Sequence, residues 1–156
     1  MISVDIILDN KHWKKKIKKA SIFFNNLIKS FPSKYQFKNK KVNLTLLLSN
    51  NKNIKMLNKK FRKKNKPTDI LSFPFEKKFN RNKNLYLGDI IISYEFMNTP
   101  SYIKNLEFKK KIVKTFIHGF LHLLNFDHIK LKDYKKMYKE ELKIYNFVNK
   151  KIDKFI

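Results

Sequence analysis

Three of the chain's four histidines fall within eleven residues, in the run His118-Gly-Phe-Leu-His122-Leu-Leu-Asn-Phe-Asp-His128. Side chains four apart on a helix stand on one face, so His118 and His122 can share a single ion. At roughly 100° per residue, Ile112, Val113, Phe116, Ile117, Phe120 and Leu124 gather on one side of such a helix, and the two histidines stand on the other. Two imidazoles together off the core stripe point to a ligand rather than to packing. A third ligand from the same segment requires the chain to leave the helix sharply. Asn125 is placed to supply that turn, because asparagine follows glycine in tolerance of the left-handed conformation. His128 then swings back to complete a triad. Neutral imidazoles so arranged suit one zinc ion per chain best, with nickel or another divalent ion open. Three protein ligands leave a fourth position for chemistry, the mark of a catalytic site. The alternative is that Asp127 closes the shell. Adjacent residues rarely coordinate one ion together, so Asp127 is expected to fix the turn or a histidine tautomer instead.

The spacing is also that of the zinc peptidase helix H-E-x-x-H-x-x-G-x-x-H, in which the glutamate is the general base. Here that position is Gly119, so the carboxylate is missing and proteolysis is disfavoured. Glycine costs about 1 kcal/mol relative to alanine inside a helix. Its use here is either close approach by another backbone or room for a substrate phosphate, and the sequence leaves both open.

Lys and Arg number 37 against 12 Asp and Glu, a net charge of +25. That charge suits a polyanion, with an anionic membrane surface as the competitor. The abundance of Lys, Asn, Ile, Phe and Tyr suggests drift toward AT-rich codons, so charge alone does not decide. Only Arg62 and Arg81 among the basic residues are arginine. A chain that uses lysine elsewhere has reason to keep arginine where a planar fork is needed. The absence of cysteine excludes a disulfide scaffold, a thiolate metal site and a cysteine nucleophile. Apolar runs are too short to span a bilayer, and the N-terminus alternates rather than resembling a leader. The expectation is a soluble, cytoplasmic protein with no membrane partner.

The elements that must hold these residues follow from periodicity. Strands are expected at 2–8, at 42–48 (buried on both faces), at 70–75 (broken at Pro74, which implies an edge or a strand end) and at 85–93, interrupted by Gly88. Helices are expected over 11–30, from Asn50 or Asn51 to Phe61 with Ile54, Leu57 and Phe61 inward, briefly before Pro100, over 105–124 and over 131–149. Residues 63–67 form a basic loop and 76–84 a polar, mobile one. No repeat or linker interrupts the chain, so one α+β domain, residues 1–156, is expected. His12 is assigned a structural or surface role.

The histidine run resembles the H-G-x-L-H-L-x-G-Y-D-H signature of the YbeY family, bacterial endoribonucleases that act as rRNA maturation factors. Leu57-Asn-Lys-Lys-Phe-Arg62, Pro67-Thr-Asp-Ile-Leu-Ser-Phe-Pro74 and Leu87-Gly-Asp-Ile90 resemble that family's earlier blocks, in order and at near-family spacing. Asn125 stands where the family has glycine and Phe126 where it has tyrosine. The segment after His128 is lysine-rich where relatives often carry acids.

The resemblance implies a zincin-like α+β fold, a small mixed sheet flanked by helices, with the metal site on a long helix and the turn after it. It implies zinc-dependent cleavage of single-stranded RNA, in small-subunit rRNA maturation and ribosome quality control, on ribosomal particles. His118, His122 and His128 are then the metal ligands. Arg62 matches a functional arginine and is expected to grip a phosphate oxygen with its fork. Lysines at 59–66 and 77–83 would track the RNA backbone. Phe73, Phe75 and Tyr86 are candidates for stacking bases, with core packing the competing role. Asp69 and Asp89 fall in the resembling blocks, where a turn cap and a strand-end hydrogen bond account for them equally well. The competing readings are a zincin-type metallopeptidase and a non-catalytic RNA-binding assembly factor with a structural metal.

Overall fold

The computed structural model describes residues 1–82 and 85–155. The strands are β1 Ile2–Leu8, β2 Val42–Ser49, β3 Ile70–Pro74 and β4 Tyr86–Ser93. The helices are α1 Trp13–Lys16, α2 Ala20–Lys29, α3 Asn51–Arg62, α4 Tyr94–Met97, α5 Asn105–Leu123 and α6 Leu131–Val148. The strands make one mixed sheet in the order β1-β2-β4-β3, with β2 parallel to β1 and to β4, and β3 antiparallel to β4 at an edge. This is the α+β class that the sequence pattern implies, with the helices flanking a small mixed sheet that the family resemblance implies.

Alternation divides the strands between two cores. Leu44, Leu46 and Leu48 of β2 join Phe24, Phe116 and Phe120 in the main core, on the side of α2 and α5. Leu47 turns the other way, to a smaller cluster with Ile54 of α3, Leu71 of β3 and Ile91 of β4. Strand β2 is therefore covered on both faces. Leu87, Ile90 and Ile92 of β4 all face the main core, which strict alternation forbids. The register explains it: Asn43 pairs with Tyr86 but Thr45 with Asp89, a bulge of one extra residue that resets the faces. Gly88 sits there at φ +133°, where a Cβ would stand 2.2 Å from Phe73 O. Only glycine fits.

Two expectations are corrected. The helix over 11–30 is broken at Ile17, which is extended at φ −133°, ψ 96°. Lys14 and Lys18, and Lys15 and Lys19, would be like-charged i,i+4 pairs on an unbroken helix, and these destabilise it. The break also lets Trp13 sink completely, its Nε1–H donating to Ser49 O at 2.9 Å, while Ile17 is buried as well. Phe61 is 58% exposed rather than inward, and Asn58 takes the buried place instead. Its Nδ2–H donates to Lys66 O at 2.8 Å, so the amide folds the basic loop back toward β3. Residues 83 and 84 of the loop expected at 76–84, and with them Lys83, lie outside the described residues. No helix among the described residues is long and apolar enough to cross a membrane.

Candidate metal centre

Helix α5 crosses beneath the edge of the sheet, and its closeness depends on Gly119. A Cβ there would lie 2.5 Å from Ile70 Cδ1 and 2.9 Å from Ser72 Oγ. Ser72 Oγ donates to Gly119 O at 3.1 Å. Of the two uses open in the sequence, close approach is the one realised, against β3 and β4 side chains rather than another backbone. The core stripe of α5 is buried as projected, while His118 and His122 are only partly covered.

The helix ends in a Schellman turn. Asn125 is left-handed at φ +65°, with its N–H bonded to His122 O at 2.9 Å and that of Phe126 to Leu121 O at 3.0 Å. The Asn125 side chain accepts a hydrogen bond from Phe79 N. Asp127 Oδ1 accepts from the His128 N–H at 2.6 Å, so this carboxylate is spent on the turn. Asn125→Gly relieves the left-handed residue and loses one side-chain hydrogen bond. These oppose each other at about 1 kcal/mol each. The expected result is a near-unchanged thermal midpoint and unchanged metal content by mass spectrometry.

This turn brings the three imidazoles together. One ring nitrogen from each of His118, His122 and His128 lies within 4.8 Å of the others, and the three can hold a metal ion. Their outer nitrogens are already engaged. His118 Nδ1 meets Glu141 Oε1 of α6 at 2.6 Å, and His122 Nδ1 meets Phe126 O at 2.8 Å. Both partners only accept, so both Nδ1 atoms carry hydrogen. The Nε2 lone pairs of His118 and His122 then face each other at 3.1 Å. With both rings neutral, two lone pairs that close call for a shared cation, a metal ion or a proton. Tetrahedral ligands at about 2.0–2.1 Å from zinc stand about 3.3 Å apart, close to this spacing. Burial, with the neighbouring His118, pushes His122 below the usual histidine range, which keeps it neutral and ready to ligate.

Glu141 was not singled out in the sequence. Its only signal there is an acid in the lysine-rich helix after the histidine run. Phe126 keeps the role that counts, because its main-chain carbonyl, not its side chain, orients His122.

The triad opens on a cleft of about 910 Å3 lined also by Arg62, Lys64, Lys66, Lys77 and the β3 residues Ile70, Ser72 and Pro74. Arg62 is at the end of α3, where left-handed Lys63 (φ 58°) turns the chain. Its Nη2–H donates to Ser72 O at 3.0 Å, and its guanidinium lies 5.8 Å from the centre of the Phe73 ring. Lys59, Lys60 and Lys78 do not line this cleft. Arg81 packs over Phe37 at 5.4 Å. Asp69 Oδ1 caps its neighbour Ile70 N at 2.9 Å, and Asp89 accepts from the Tyr86 hydroxyl. Phe73, Phe75 and Tyr86 are absent from the cleft walls; Phe73 packs on the smaller core. His12 stacks on Tyr94, far in the chain from the triad.

Three imidazoles on a helix and its terminal turn, with an open cleft before them, make a site that can hold a metal ion with room for a substrate. The chain belongs to the endoribonuclease YbeY family, whose model, "Endoribonuclease YbeY", matches residues 7–149. It is 66% identical over 152 residues to Endoribonuclease YbeY of Pelagibacter ubique (strain HTCC1062), covering 97% of this chain and 99% of that one. It is 35% identical over 141 residues to Endoribonuclease YbeY of Ehrlichia canis (strain Jake), covering 90% of each. The solution structure of TM1509 from Thermotoga maritima shares the fold, with a TM-score of 0.52 at 24% identity over 96% of this chain and 91% of that one.

Proposed function

We propose that the chain is a zinc-dependent endoribonuclease that cleaves phosphodiester bonds in single-stranded RNA. Its work is small-subunit rRNA maturation and ribosome quality control, on ribosomal particles in the cytoplasm, with residues 1–156 acting as one domain. The observation that carries the reading is that His118, His122, His128 and Arg62 all open on one lysine-lined cleft. His118, His122 and His128 hold the zinc, with Glu141 and Phe126 O setting the first two rings. When bound, zinc supplies Lewis-acid activation of a water or of a phosphoryl oxygen.

Arg62 spends one of its five N–H donors on Ser72 O and has the rest of its fork for non-bridging phosphate oxygens. The Phe73 ring, 5.8 Å from the guanidinium, adds a cation–π contact. Lys64, Lys66 and Lys77 neutralise flanking phosphates. No carboxylate of the cleft stands as an evident general base: Asp127 and Asp69 each cap a neighbouring N–H.

The edge strand supports RNA over peptide. Asp69 O and Phe75 N bond to β4, so Ile70, Ser72 and Pro74 turn their backbone groups outward, where an extended peptide would pair. The Ile70 N–H is capped by Asp69, Ser72 O is taken by Arg62, and Pro74 has no N–H. Three of that edge's outward positions are thus engaged or lack a donor, which weakens strand addition there.

The test couples metal analysis of the purified protein to cleavage of an unstructured oligoribonucleotide and an unstructured peptide. Expected are one zinc per chain, cut RNA and intact peptide, with cleavage lost on chelation and restored by added zinc. Peptide hydrolysis, or full RNA cleavage by protein stripped of metal, overturns the reading.

A further inference from the structure

We infer that Tyr134 and Tyr138 of α6 form a stacking platform for an unpaired nucleobase beside the metal centre, an inference that rests on the RNA reading above. Helix α6 buries Met137, Ile144 and Val148. Beside that buried face, Leu131, Tyr134, Tyr138 and Leu142 make a stripe that the described residues leave largely exposed. Tyr134 is 51% and Tyr138 52% exposed, a poor use of two aromatic rings unless something covers them. The rings are held parallel, 4° apart in plane with centroids at 6.2 Å.

Their position decides the occupant. Tyr134, Tyr138, Met137 and Glu141 line a recess of about 180 Å3 together with His118 and His128. Those two histidines also line the main cleft, so the recess continues it past the metal centre, on α6. A strand whose phosphate lies among Arg62 and the histidines has its neighbouring nucleotide at these rings. The surroundings suit RNA rather than a protein. From Lys130 to Lys139 the helix and its approach carry five lysines and one acid, Asp133, whereas the cores of protein interfaces are depleted in lysine. Aromatic faces interleaved with lysine are what sequence-tolerant single-strand binding uses. A paired base must give up its stack and its partner to lie on the rings, so the platform also favours single strands.

The experiment measures kcat and KM of the zinc-loaded protein on an unstructured oligoribonucleotide, and quenching of a 2-aminopurine placed along it. Stacking is worth enough that Tyr134→Ala/Tyr138→Ala raises KM roughly ten- to hundredfold and abolishes the quenching, with zinc content unchanged. Tyr138→Phe and Tyr138→Trp recover most of the binding, whereas Tyr138→Leu does not. An abasic residue at the quenched position costs the wild type what the alanine pair costs. If the wild type cleaves RNA with a KM indifferent to these rings, or if leucine rescues as well as phenylalanine, the platform is overturned and the RNA reading stands. If the wild type neither binds nor cleaves the oligonucleotide, both fall. A wild-type dimer that the alanine pair dissolves in sedimentation gives the stripe to a second copy of the chain and overturns the platform.

Discussion

In the zinc endoribonuclease proposed above, His122→Ala is expected to empty the metal centre: zinc per chain falls from one to near zero, and RNA cleavage falls to the level of chelated wild type. The size of the effect follows from the position of the ring. His122 stands closest to a second ligand, its Nε2 3.1 Å from that of His118. It is the only one of the three whose outer nitrogen is fixed by the helix's own terminal turn, through Phe126 O at 2.8 Å. With it gone, His118 and exposed His128 remain, and two imidazoles do not make a three-ligand catalytic site. The fold survives, because the core stripe of α5 is buried on the other side of the helix. A ligand that binds only the folded state stabilises it by about 2.7 kcal/mol at a hundred times its Kd. Zinc should therefore raise the thermal midpoint of the wild type and leave that of the variant where it is. A variant that keeps full zinc occupancy refutes the triad.

What could be read from the chain before folding, and what could not, divides along physical lines. Helix α5 and its turn are local events: a stripe period, a left-handed asparagine and three histidines within eleven residues are all written in one segment. That Pro74 marks an edge or a strand end follows from a short-range rule as well, whereas the mixed sheet follows from the family resemblance. The misses are tertiary. Phe61 carries the apolar period of α3, yet Asn58 goes inside because the returning loop offers it Lys66 O. The break at Ile17 serves Trp13, whose partner Ser49 is 36 residues away. Glu141 reaches His118 across 23 residues, and no pattern within α6 announces it. Gly119 was visible as an anomaly in a helix, but its cause is the side chains of Ile70, Ser72 and Ile90 from two strands that the sequence places far upstream. Its meaning changes with that. The missing peptidase glutamate is replaced by a contact that sets the distance between α5 and β3, and so between the histidines and the strand on which Arg62 is braced.

That bracing gives Arg62→Lys its expected outcome: folded protein, full zinc, and kcat/KM on RNA reduced roughly a hundred- to thousandfold, as for loss of one preorganised donor to developing charge. The substitution keeps the charge and removes the planar fork. Lysine cannot hold Ser72 O and a phosphate together in one plane as the guanidinium fork can. The lost hydrogen bond costs about 1 kcal/mol of stability, too little to unfold the chain, so the thermal midpoint shifts slightly while turnover collapses. Salt separates positioning from attraction. The number of phosphates neutralised is unchanged, so the slope of binding against log salt should match the wild type's even as cleavage is lost. An undiminished rate would reduce Arg62 to one more cation in a basic loop. A rate lost in step with RNA affinity, at a changed salt slope, would make it a backbone tether rather than a clamp on the reacting phosphate.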